Sequence, residues 1–221
     1  MTTMPLLDGG NTLAETFAAL RADLLADGGP RISTMRNYRF AILPYAPREE
    51  FPVRRHVRRL SDELRQQGWN VLSLSLGALL IERLAAEDPR VLERFIESEK
   101  RLCARDPMRA LANLESRVGR YVEGPDGIAR DVIARIDAFA DANPDATDRT
   151  LIWLGRAGAL YPFFRSSALL KHLDGRTRNL PVVLLYPGER RDQTALSFMN
   201  ELVPDRDYRP RIYGPIESVT L

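Results

Sequence analysis

The sequence predicts an α/β protein, a three-layer sandwich on a mostly parallel sheet, and three observations carry that expectation. Short apolar runs rich in branched and aromatic residues, at 40–43, 151–154 and 182–186, suit strands covered on both faces. Amphipathic helical stripes lie between several of these runs. Residues 77–147 carry no strand pattern, far more chain than a crossover helix needs, so a helical insertion is expected after the second strand.

In chain order, residues 12–26 form a first helix, with Thr12 and Glu15 at capping-box spacing and Leu13, Phe17, Leu20 and Leu24 on one stripe. That stripe has to dock, either on this domain or on a partner. A first strand, 38–43, stops at Pro44 and Pro47. A helix over 48–67 follows, its buried stripe Val53, Val57, Leu60 and Leu64. The second strand, 69–76, alternates leucine with serine, as at a sheet edge. Helices are expected near 77–87, 90–104, 107–120 and 126–141, broken at Asp88–Pro89, Asp106–Pro107 and Gly124–Pro125. After the third strand, Gly155 and Gly158 mark a tight turn, and Tyr161–Pro162 opens a helix with Phe163, Leu170 and Leu173 on one face. The fourth strand ends at Pro187–Gly188. A short helix is expected at 195–202, and a polar edge strand at 208–213. With strand two at an edge and strands one, three and four buried, the order 2-1-3-4-5 fits. The chain is expected to be one α/β domain, 1–221, with the insertion inside it.

Charge and composition narrow the function. Net charge is +2, which argues against a general nucleic-acid coat but not a local patch. Of the 32 basic residues only Lys100 and Lys171 are lysines. That bias fits either genome composition or a use of arginine's planar fork in ion pairs and phosphate contacts. Cys103, the single cysteine, rules out an internal disulfide and falls on a helical pattern, as a buried structural cysteine would. The start of the chain has no secretory pattern, and no apolar run is long enough to span a membrane, so a cytoplasmic location is expected.

No phosphate-cradling loop, dinucleotide fingerprint, nucleophile elbow or zinc-ligand spacing occurs. No catalytic residue, metal or cofactor is therefore expected. His56 suits a helix surface, and His172 a helix C-terminus. Four features remain candidates. Arg156, between the two glycines, is placed for an anion or peptide contact. Tyr45, Tyr161 and Tyr186 follow buried strands and are expected to converge on one rim, with Arg165 nearby, as a partner-binding surface. Arg54, Arg55, Arg58 and Arg59 flank a helix stripe, either as a solvated face or as a nucleic-acid contact. Asp205 and Asp207 fit a divalent-ion pair or, after Pro204, turn residues paired with arginine.

Five segments taken in order carry a resemblance: RISTMRN at 31–37, FAILPY at 40–45, GRAGALYPFF at 155–164, LSFM at 196–199 and YRPRIY at 208–213. Over about residues 12–213 the chain resembles the BrxB family of BREX bacteriophage-exclusion systems. The resemblance implies a cytoplasmic bacterial or archaeal protein of phage defence. Its implied neighbours are an alkaline-phosphatase-like PglZ protein, an ATPase and a DNA methyltransferase. It transfers no catalytic residue. Three functions stand side by side: a non-catalytic assembly component, a degenerate nucleotide- or nucleic-acid-processing enzyme, and a nucleic-acid-binding module using the arginine face. At most weak nucleic-acid binding and no membrane association are expected.

Overall fold

The computed structural model describes residues 9–32, 39–144, 147–192, 194–202 and 210–215. Each central strand sends alternate side chains to opposite faces of the sheet, and both faces are covered. β1 (Phe40–Tyr45) directs Phe40 and Ile42 one way and Ala41, Leu43 and Tyr45 the other. β3 (Thr150–Gly155) and β4 (Val182–Arg190) divide their side chains in the same manner. β2 (Asn70–Ser75) is only partly buried, and it lies at the sheet edge, as its leucine–serine alternation predicts.

The first face carries α1 (Gly9–Leu24) and α2 (Glu50–Gln66), the latter entered through a 3-10 turn at Pro47–Glu49. The predicted stripe Leu13, Phe17, Leu20 and Leu24 is buried here, so α1 docks on its own domain. α1 starts a turn earlier than its capping-box signal. Trp153 donates from its indole nitrogen to Ser61 Oγ at 3.0 Å and ties α2 to β3 inside this layer. The second face carries α3 (Leu76–Ala85), α5 (Pro107–Val122), α6 (Ile128–Ala142) and α7 (Ser166–Leu173), with α4 (Pro89–Arg105) outside them against α5. The four insertion helices match their predicted spans closely. Asp88 and Asp106 begin two of them, each carboxylate accepting a backbone N–H, from Arg90 at 2.8 Å and from Arg109 at 3.0 Å. Prolines at the first helical position complete these starts.

The strand order corrects the prediction. The parallel strands run β2-β3-β4-β1-β6, where β6 is Arg211–Ile212, so the expected 2-1-3-4-5 becomes 2-3-4-1-5 for the same five strands. Burial required only that the first, third and fourth strands be interior, and both orders satisfy that. Handedness then divides the helices. The chain crosses from β1 over β4 and β3 to β2 on one face, then returns through β3 to β4 on the other, so all three crossovers keep one hand, as the right-handed rule for parallel strands requires.

Two further elements differ. Residues 196–198, expected in a helix, form β5 (Leu196–Phe198), antiparallel to the end of β4. The Asp192 carboxylate accepts the N–H groups of Thr194 and Ala195, each at 2.7 Å, and turns the chain back into pairing. β4 therefore continues through Pro187–Gly188 instead of stopping there. Likewise α7 begins at Ser166, not at Tyr161. Tyr161 precedes Pro162 and is extended, at φ −65° and ψ 138°, because a residue before proline is sterically pushed out of the helical region.

Candidate functional site

β3, β4 and β1 are neighbours, so their carboxyl ends share one edge of the sheet. Tyr45 is the last residue of β1. The pleat places its ring with Ala41 and Leu43 in the α1–α2 layer, 5% exposed, and its hydroxyl donates to Glu50 Oε2 at 2.5 Å. Burial first, then Glu50, pushes the Tyr45 hydroxyl well above its ordinary range, so it stays a protonated donor. Glu50 Oε1 lies 3.6 Å from Arg156 Nη1. The three side chains bridge the ends of β1 and β3, where open α/β sheets commonly take their ligands.

Arg156 is itself in the left-handed region, φ 62° and ψ 30°, and its side chain is about half exposed. The flanking glycines have no such conformation. Gly158 is instead needed for close approach: a Cβ there would lie 3.3 Å from both Met199 Sδ and Pro187 Cγ. The chain continues through a 3-10 turn, Ala157–Leu160, to Tyr161, which is 39% exposed, and Arg165 is exposed just before α7.

The expected rim of three tyrosines does not form. Tyr186 is fully buried on the opposite face, its ring centre 5.4 Å from that of Phe198 in an edge-on arrangement. It shares parity with Val182 and Leu184, and β4 runs four residues past it. Of the three, only Tyr161 reaches the surface. Sequence reasoning missed two residues at this edge. Glu50 links Tyr45 to Arg156, and Phe51, 68% exposed, lies beneath Arg54 with the guanidinium carbon 5.9 Å from its ring centre. Phe51 falls outside the Val53–Leu64 stripe, and that was the signal that it faces outward.

Arg54, Arg55, Arg58 and Arg59 are all exposed on α2, and none pairs with a carboxylate among the described residues. His56 stacks on Phe17 at 5.0 Å beside Arg59. Cys103 is exposed, contrary to expectation, because α4 packs chiefly against α5 and buries none of its residues. Among the described residues no three His, Cys, Asp or Glu side chains gather as a metal site, and no helix is long and apolar enough to cross a membrane. Asp205 and Asp207 lie outside the described residues.

Together these features define a class: a doubly wound α/β protein whose strand-end crevice is bridged by its own side chains and whose exposed edge is guanidinium and aromatic. The family model described as "BREX protein BrxB" matches residues 72–212, well over half of the chain. The chain belongs to that family, and so is a component of a BREX phage-defence system. A curated relative, "BREX protein BrxB" of Bacillus cereus (strain H3081.97), is 22% identical over 171 residues, covering 77% of this chain and 80% of the relative. No solved structure matches.

Proposed function

We infer that the chain is a non-catalytic assembly component of its BREX complex, acting in the cytoplasm and holding a PglZ-like partner at the carboxyl-end edge of the sheet. The observation behind this reading is the bridge from Tyr45 through Glu50 to Arg156. It links the ends of β1 and β3 through the chain's own groups while leaving Arg156, Tyr161, Phe51 and Arg165 toward solvent. Tyrosine and arginine are the residue types that most often dominate interfaces. Tyr45 and Tyr186 act here by supporting the edge from within.

Co-purification of the tagged chain with a PglZ-like protein of the same system is the test. Arg156→Gly keeps the left-handed backbone without steric cost, and Tyr161→Ala truncates an exposed ring. The double variant should retain its thermal melt and lose at least tenfold in partner yield, as removal of one strong interface contact does. Wild-type yield from the folded double variant defeats this reading.

A second reading has its own observation, the four exposed arginines of α2, which have no carboxylate partner among the described residues. They form a nucleic-acid contact of the weak, sequence-independent kind, with Kd no tighter than about 10⁻⁶ M at physiological salt.

A further inference from the structure

The outer helices of the second face contain a groove that neither reading uses. α4 packs on α5 with Leu92, Phe95 and Leu102 half-buried, and no residue of α4 is fully buried. Between α3, α4 and α5 this leaves a groove of about 410 Å³, within the size range of sites that seat a ligand or a side-chain anchor. Leu84, Phe95 and Tyr121 line it, with Val91 still 41% exposed at its mouth.

Three arginines also line this groove: Arg94, Arg117 and Arg120. The Arg117 guanidinium lies 5.2 Å from the Phe95 ring centre and that of Arg120 4.8 Å from the Tyr121 ring centre. Arg120 donates to Tyr121 Oη at 2.8 Å, and that hydroxyl donates to Glu87 Oε1 at 2.9 Å. Glu87 is the one carboxylate in the lining, and none of the three arginines pairs with a carboxylate among the described residues. An aromatic floor thus carries a surplus of positive charge that no ion pair among the described residues neutralises.

The charge selects the occupant. An apolar ligand would leave the arginines unmatched, and a basic one would meet repulsion. A nucleic-acid strand, with charge at every residue, would also bring a phosphate against Glu87, the one carboxylate in the lining. A short peptide can place carboxylates only where the arginines stand. We propose that this groove docks a short acidic segment of a partner protein, seating one apolar side chain on Phe95 and Tyr121 and its flanking carboxylates on Arg117 and Arg120. This surface lies on the opposite face of the sheet from α2, and the proposal is independent of the strand-end reading.

Fluorescence anisotropy with a labelled Asp/Glu-rich peptide bearing a central tryptophan tests it on the full chain. Saturable binding in the micromolar range is expected, weakening several-fold as salt is raised because the contacts are charged and partly exposed. Arg117→Ser with Arg120→Ser should weaken it at least tenfold. Arg120 also packs on Tyr121, so Val91→Asp supplies a second variant at a half-exposed position, with the same loss expected and an unchanged melt. Equal binding by a Lys-rich peptide, by the acidic peptide without tryptophan, or by the folded Val91→Asp variant overturns the proposal. So does the lack of saturation at millimolar peptide.

Discussion

His56 shows how a single side chain ties two helices to pH. Its ring is stacked on Phe17 of α1, and burial first, then the nearby Arg59 and Arg55, hold its pKa below the ordinary histidine value. The unfolded chain therefore takes up this proton more readily than the folded one. The contribution of His56 to stability is fully present above about pH 6.5 and is lost as pH falls toward the depressed folded value. Urea unfolding at pH 7.5 and 5.5 should show the loss, and His56→Phe, which keeps the stack, should shrink it. Cys103 gives a second test at this scale: with its side chain exposed on α4, it should react with an aromatic disulfide reagent in the native protein at nearly the rate seen in urea. The sequence pattern put Cys103 inside because it follows the helical repeat of Phe95 and Leu102. Periodicity identifies the inward stripe of a helix but not how deep the layer beneath it lies, and α4 rests chiefly on α5 at the outside of its layer.

Elements were most legible where local chemistry acts alone. The Asp–Pro helix starts at 88–89 and 106–107 and the α2 stripe are local signals, and they reappear as drawn. β5 was not legible, because Leu196 and Phe198 gain their burial only by pairing with the end of β4, a long-range contact that overrides local preference. The edge where Arg156 sits is likewise held by a packing contact that no motif announces. Gly77, in the first turn of α3, would place a Cβ 2.8 Å from Ala159 Cβ in the turn after β3. Gly77→Ala should force the two apart and cost about 1–3 kcal/mol, measured by chemical denaturation. Because α3 supports that turn, the same variant should also reduce partner yield, whereas a substitution on the exposed face of α4 should not.

At the scale of the molecule, the sheet separates two chemically different faces. One presents the arginine rows of α2, and the other carries the helical layer with its aromatic groove. Binding to duplex DNA through α2 should weaken with salt at a slope near −0.9 per phosphate neutralised. Arg55→Ala with Arg58→Ala should flatten that slope without changing the melt, and gel shifts across a salt series measure both. The class of this architecture was legible because apolar runs alternate with helices. The order of the strands was not, since every arrangement with three interior strands satisfies the same burial pattern.

That order has a consequence for how the chain is made. β1 pairs with β4 and β6, both synthesised after the whole helical insertion. About 140 residues separate the end of β1 from the start of β4, so translation at roughly 5–20 residues per second leaves β1 without either neighbour for about 7–28 s. An apolar strand with two open edges is a template for unwanted pairing throughout that interval. Ribosome-arrested chains ending before residue 180 should expose the Phe40–Tyr45 segment to protease, and chains extended past β6 should protect it. Newborn copies are therefore expected to gain from chaperone cover until β4 and β6 emerge, and slower synthesis should lower the folded yield.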